Sequence, residues 1–191
     1  SIRANFFLKN LMINFKNNLK DVIVESSKFL ENKNIINAKK ELEWFSHLFL
    51  KFSLEDIYFK KNYLNKKEIQ LIKNFINRRA NQEPFQYIVN SAPFLDYDFV
   101  VNSKVLIPRP ETEIIFTVLK NRFFKTALDI GTGSGNIAIS LKLKNIASSI
   151  TAIDCDADAL SVAQLNANNL NVKNIDFQQV DIFNYQSFNK Y

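Results

Sequence analysis

Thr126-Ala-Leu-Asp-Ile-Gly-Thr-Gly-Ser-Gly-Asn136 decides the fold, because it sets a short apolar run directly against three glycines at alternating positions. Residues 126–130 have the length and composition of a buried strand. Gly131, Gly133 and Gly135 are the only glycines in the 191-residue chain. Glycine at such a turn admits positive φ and lets a ligand approach the backbone closely. Residues 136–144 then suit a helix, whose first N–H groups stand just behind the turn. Downstream, residues 149–153 read as a second strand, 157–169 as a helix and 175–180 as a third strand. Alternation of this kind predicts a parallel sheet with right-handed crossovers.

Two ligands suit a turn of this type, a dinucleotide and S-adenosylmethionine (SAM). The dinucleotide fingerprint needs Gly-x-Gly-x-x-Gly, whereas Asn136 stands where its last glycine would be. Asp129 precedes the turn by one residue, as is usual in SAM-dependent methyltransferases. It can accept from the loop or, through water, from the methionine ammonium. Asp154 ends the second strand, where a carboxylate can take both ribose hydroxyls; alone it suits NAD as well as SAM. Asp181 ends the third strand and can accept from the adenine amino group, with Ile182 or Phe183 against the ring. Any one of these aspartates is an ordinary strand-end or helix-cap residue. Three at successive strand ends, together with the turn, favour SAM.

Upstream, residues 1–83 contain neither glycine nor proline, and all four prolines lie between Pro84 and Pro110. A stretch without these breakers reads as helical. Phe6, Phe7, Leu11, Phe15, Leu19, Val22 and Ile23 fall at helical spacing. A second helix is expected over residues 36–50, with Ala38, Leu42, Phe45 and Phe49 on one face. Ser53 with Asp56, and Asn65 with Glu68, are capping-box-like starts for two more helices. In the proline-bearing segment, residues 86–89 and 97–101 read as short strands with residues 91–93 turning between them. Pro108-Arg-Pro110 forces extended backbone, and Glu111 opens a helix to about Lys120. The domains expected are a helical bundle (1–80), a β-hairpin and proline-rich linker (81–110), and part of an α/β domain (111–191).

Composition excludes several classes. With 47% hydrophobic and 13% aromatic residues the chain has ample core material, which argues against disorder. One cysteine, Cys155, rules out an internal disulfide framework and a Cys-based zinc site, and suits a reducing cytosol. The first twenty residues are interrupted by Arg3, Lys9, Lys16 and Lys20, so neither a signal peptide nor a membrane helix is indicated. The chain begins without Met, as a processed or cut end would. Residues 1–80 carry 16 Lys+Arg against 8 Asp+Glu, and residues 81–191 carry 9 against 11. The basic half can meet an acidic protein or nucleic acid. Its lysines are scattered rather than clustered, and abundant Lys, Asn, Ile and Phe are what an AT-rich genome encodes.

Arg78-Arg79, Glu83-Pro-Phe-Gln-Tyr-Ile88, Phe94 and Val105-Leu-Ile-Pro-Arg-Pro-Glu-Thr-Glu113 resemble the HemK/PrmC family, and the helical segment from Asn37 to Leu50 resembles that family's N-terminal bundle. The likeness covers almost the whole chain. It implies an N-terminal all-α bundle followed by a partial Rossmann-like SAM-dependent methyltransferase domain, strands 1–3 of a seven-stranded sheet, with a β-hairpin linker. It implies SAM as cofactor, with Gly131, Thr132, Gly133, Ser134, Gly135, Asp154 and Ile182 at its site, to which the reading of the strand ends adds Asp129 and Asp181. The position of Ile182 is often aromatic in relatives, so stacking on adenine is expected to be weaker here. Asn90 replaces a glycine common after the Tyr-Ile pair. The implied substrate is the glutamine of the Gly-Gly-Gln tip of class 1 peptide chain release factors. The implied enzyme is monomeric at full length and cytoplasmic, with neither membrane nor nucleic acid as partner.

An amide nitrogen is a poor nucleophile, so catalysis must aim its lone pair along the sulfonium–methyl axis. The family does this with Asn-Pro-Pro-Tyr, which this sequence does not contain. From the family's spacing the motif falls beyond Tyr191. No residue here is therefore assigned to catalysis or to a metal, and the chain alone is expected to be inactive, to bind SAM weakly and to leave an apolar strand edge exposed. Arg109 either borders the substrate channel or pairs with Glu111 or Glu113. His47 reads as a solvent-facing or packing histidine, Trp44 as core, and Cys155 as a small strand-end residue. Two other functions remain open: a nucleic-acid amino-methyltransferase acting on adenine or guanine nitrogen, and a non-catalytic SAM-fold binding fragment.

Overall fold

The computed structural model describes residues 18–185, in two compact units divided after Val89. In the first unit, Asn18 caps α1 (Leu19–Glu31), accepting from the Asp21 N–H at 3.4 Å. The part of the expected first helix carrying Phe6, Phe7, Leu11 and Phe15 lies outside the described residues. Leu19, Val22 and Ile23 are buried on α1 at the expected spacing. Helix α2 (Ala38–Leu50) follows, then α3 (Leu54–Phe59) and α4 (Lys66–Ala80). Both capping boxes form: Ser53 and Asp56 exchange hydrogen bonds at the start of α3, and Asn65 and Glu68 do so at the start of α4. Each satisfies two N–H groups that a helix start leaves unpaired.

The core of this unit centres on Phe75, 1% exposed, with Phe45 at 4.6 Å and Phe85 edge-on at 6.1 Å. Such aromatic pairs add about 0.5–1.5 kcal/mol each beyond their area. Trp44 is not core. It is 61% exposed beside Phe85, because the inward face of α2 is formed by Ala38, Leu42, Phe45 and Leu50. Phe49 stacks on Phe45 but stays 42% exposed at the margin.

Residues 86–89 are not a strand. Phe85–Val89 is a short helix, α5, begun at Pro84, whose carbonyl accepts from the Tyr87 and Ile88 N–H groups. Ile88 is buried, and Phe85 and Val89 pack beside it. That is the i, i+3, i+4 spacing of a helix rather than the alternation of a strand. Arg78 and Arg79 hold this corner. Arg78 donates Nε to Glu83 Oε2 at 2.7 Å and Nη2 to Oε1, and keeps the Glu83 carboxyl below the usual carboxylate range. Arg79, almost fully buried, donates Nε to Glu41 Oε2 at 2.6 Å and Nη1 to the Glu83 carbonyl.

The second unit opens with an antiparallel hairpin, β1 (Ala92–Phe94) and β2 (Tyr97–Phe99). Its turn lies at Leu95-Asp96, not at residues 91–93. Leu95 takes a φ of 53°, and its N–H donates to Glu113 Oε1 at 2.8 Å. The acidic end of Pro108-Arg-Pro-Glu-Thr-Glu113 is thus partly committed to supporting the hairpin. Pro110–Glu113 forms a single 3-10 turn leading into α6 (Ile114–Val118), shorter than the helix expected. Phe94 meets Phe99 and Phe116 edge-on at 6.1 and 5.8 Å, so hairpin and α6 share one core with the sheet.

The α/β part follows the expected alternation. Strands β3 (Phe124–Ile130), β4 (Ala147–Asp154) and β5 (Ile175–Gln179) pair in parallel in that order. They are joined through α7 (Asn136–Leu143) and α8 (Ala157–Asn169). Among the described residues, nine non-glycine residues have positive φ, and six of these are asparagine, Asn90 among them. With every glycine in one turn, the left-handed positions elsewhere go mainly to the side chain that tolerates them best. No described helix is long and apolar enough to cross a membrane.

Candidate functional site

The glycine turn lies where β3 becomes α7, and all three glycines have positive φ. Its backbone is tied to the end of β4: the Gly131 and Thr132 N–H groups both donate to the Ile153 carbonyl, at 2.8 and 3.0 Å. Gly133 N–H donates to Asp154 Oδ2 at 2.9 Å, and Gly135 N–H to the Thr132 carbonyl at 2.8 Å. The end of β5 joins the same corner, as Val180 N–H donates to the Asp154 carbonyl at 3.0 Å.

These three strand ends enclose a cavity of about 330 Å³, lined by Ile130, Gly131, Ile153, Asp154, Cys155 and residues 180–183. It stands at the carboxyl ends of parallel strands, where open α/β sheets bind their ligands. A side chain at Gly131 would meet no atom within 4 Å, so the turn leaves open space above it. Ile182 and Phe183, 43% and 94% exposed, offer apolar surface on the β5 side.

Of the nine cofactor positions expected from the sequence, Gly131, Asp154, Asp181 and Ile182 line this cavity. Asp154 accepts from Gly133 N–H on one oxygen and from Asp156 N–H, at 3.1 Å, on the other. Each carboxylate oxygen has two acceptor sites, so each keeps one for a further donor. Asp181 accepts from Phe183 N–H at 3.0 Å, capping the 3-10 turn Ile182–Asn184.

The other five positions build the turn. Thr132 and Ser134 are buried, and their hydroxyls are engaged internally, Thr132 Oγ1 with Asp129 Oδ2 at 2.8 Å and Ser134 Oγ with Asn136 Oδ1 at 3.1 Å. Gly133 bridges to Asp154, and Gly135 packs against Ala163 and Ile139. Asp129 also accepts from the Ala138 N–H in the first turn of α7. Arg109 is exposed and forms no ion pair among the described residues; the Glu113 oxygen Oε1 is taken by the hairpin instead. His47 is exposed, its Nδ1 3.3 Å from the Phe52 carbonyl oxygen. Cys155 is exposed at the cavity rim.

Burial raises the Asp129 carboxyl above its ordinary value, with the nearby Asp154 adding to the rise and the Thr132 and Ala138 hydrogen bonds opposing it. A folded-state pKa above the unfolded one means that the fold prefers the proton. Stability is therefore lost as pH climbs from the ordinary carboxylate value through the raised one, and stays lost at neutral pH. Asp129→Asn keeps an acceptor and has no charge to desolvate. It is expected to raise the neutral-pH melting temperature by about 2–4 °C for each kcal/mol relieved, the gain shrinking towards acid pH. A melting temperature that falls, or a gain that is the same at acid and neutral pH, would contradict this.

One residue of this corner was not expected. Asn166 on α8 is 1% exposed and bonds to both Val100 and Ser134. The available signal was a single amide on the apolar face formed by Ala159, Leu160, Val162, Ala163 and Ala167.

Known family domains match each unit separately. Residues 21–89 match the PrmC N-terminal domain, and residues 124–191 match a methyltransferase domain. A release factor glutamine methyltransferase from Bacillus subtilis is 41% identical over 90 residues, 43% of this chain and 31% of that protein. One from Lactococcus lactis is 41% identical over 92 residues, 47% of this chain and 34% of that protein. The chain thus spans about a third of the length of these relatives. A solved SAM-dependent methyltransferase from Clostridium acetobutylicum is 26% identical with a TM-score of 0.35, over 42% of this chain and 32% of that one.

Proposed function

We propose that this chain, which belongs to the HemK/PrmC family by its paired PrmC N-terminal and methyltransferase domains, binds SAM in the β3–β4–β5 corner and serves methylation of a release-factor glutamine amide. The observation that carries the cofactor reading is the convergence of Gly131, Asp154, Asp181 and Ile182 on one cavity at the strand ends. The residues fit the group. The open space over Gly131 admits a ligand against the backbone, the spare acceptor sites of Asp154 suit a ribose diol, and Ile182 and Phe183 suit a purine face. Asp181 stands beside them as an acceptor for the adenine amine. SAM supplies an electrophilic methyl group on a sulfonium; the chain's own residues bind and orient its nucleoside.

Titration calorimetry with SAM tests the site. Asp154→Ala removes the ribose acceptor and one bond to the turn, and is expected to weaken binding about tenfold or more, a charge-assisted hydrogen bond being worth about 1.5–3 kcal/mol. Affinity equal to that of the wild type would sink the assignment.

The substrate reading is supported by the release factor glutamine methyltransferases that this chain resembles. Because the sequence contains no Asn-Pro-Pro-Tyr, binding rather than turnover is the informative readout. The chain is expected to bind a class 1 release factor, as a monomer, in preference to ribosomal RNA. Preferential, salt-sensitive binding to RNA would favour the amino-methyltransferase alternative instead.

A further inference from the structure

We propose that Asn166 is the positioning residue of the glycine turn, its side-chain amide locking the turn and the backbone after β2 into one body; the consequence for SAM rests on the cofactor reading above. Asn166 Oδ1 accepts from Val100 N–H at 2.7 Å, and Nδ2 donates to the Val100 carbonyl at 2.9 Å and to the Ser134 carbonyl at 2.9 Å. The Val100 N–H is a donor, so the oxygen of the amide must face it, and both amide protons then meet carbonyls. No other orientation satisfies all three groups. The amide imitates a neighbouring strand towards Val100 and has one proton left for the turn.

That proton reaches the turn between two of its glycines. Ser134 lies between Gly133 and Gly135, with φ of 54° and 77°, and glycine-flanked peptides rotate with little steric resistance. Fixing the Ser134 carbonyl fixes the peptide plane that also carries the Gly135 N–H, which donates to Thr132 O at 2.8 Å. A turn held this way is preorganised, and a ligand loses less affinity in ordering it. Aspartate cannot replace the amide, because it has no proton for either carbonyl.

The test compares the full chain carrying Asn166→Asp with one carrying Val162→Ala, a core truncation elsewhere on α8, at a temperature where circular dichroism shows both folded. In Asn166→Asp the Gly133 and Gly135 amides are expected to exchange with solvent about tenfold faster or more, and SAM to bind about tenfold more weakly or worse, while Val162→Ala changes both far less. Turn amides exchanging at the wild-type rate in a folded Asn166→Asp chain would overturn the proposal. Should that variant not fold, the wild-type chain decides. One amide holding both segments requires the Val100 and Gly135 amides to open together, with protection equal to within about threefold; widely different protection would overturn it. Wild-type chain that binds no SAM would sink the cofactor reading alone, because the exchange measurements decide the role of Asn166 without a ligand.

Discussion

Gly135→Ala is expected to destabilise the second unit by about 2–5 kcal/mol, whereas Gly131→Ala, four residues away in the same turn, costs only about 1–2 kcal/mol. Both positions have positive φ, 77° and 72°, which an alanine adopts under strain. Only Gly135 is also crowded. A Cβ built there lies 3.0 Å from Ala163 Cβ and from Ile139 Cδ1, and 3.3 Å from Ala163 Cα. Ala163 belongs to α8 and cannot retreat without moving the helix, so overpacking adds to the backbone strain. At Gly131 the same Cβ meets nothing within 4 Å, and Gly131 itself lines the cavity. Gly131→Ala is therefore expected to weaken SAM binding more than its modest loss of stability accounts for. Urea unfolding and SAM calorimetry on both variants read the two effects. Equal stability losses would refute the assignment of Gly135 to packing and Gly131 to ligand approach.

Arg79→Leu is expected to cost the helical unit about 3–5 kcal/mol, the usual effect of removing one partner of a buried ion pair. The Arg79 and Glu41 side chains are only 10% and 18% exposed, and the guanidinium also holds the Glu83 carbonyl. Without it, Glu41 becomes an uncompensated carboxylate and the corner before α5 loses its anchor. Arg79→Leu combined with Glu41→Leu is expected to recover much of the loss, since two apolar side chains leave no charge to desolvate. Trp44, the single tryptophan, stands with Glu41 and Phe85 around one surface cleft, so its fluorescence reports on this corner during unfolding. A double variant no more stable than Arg79→Leu would show that the lost packing and the Glu83 bond, not the stranded charge, set the cost.

These two cases mark how far the sequence could be read. Local patterns were legible because they encode backbone angles and period within a few residues. Three glycines in five positions admit a left-handed turn, Ser53 with Asp56 and Asn65 with Glu68 cap the helices that follow them, and strands alternating with helices make a parallel sheet. An ambiguous period leaves helix and strand indistinguishable in a short segment. Phe85, Ile88 and Val89 carry helical spacing, yet Gln86 to Val89 is short enough to pass for a strand. Trp44 lies outside the core, because hydrophobicity does not say which flank of an amphipathic helix meets a neighbour.

The sequence by itself determined the strand–turn–helix unit, the parallel sense of the strands and the aspartates at or near their ends, since each follows from patterns local in the chain. Only the tertiary structure decided which of those residues face the cavity and which merely build it. It gave Arg78 and Arg79 to the corner before α5 and Glu113 to the hairpin turn. It also brought Asn166 to Val100 across 66 residues and to Ser134 across 32. A hydrogen bond between distant segments depends on how whole elements pack, and no local spacing records that.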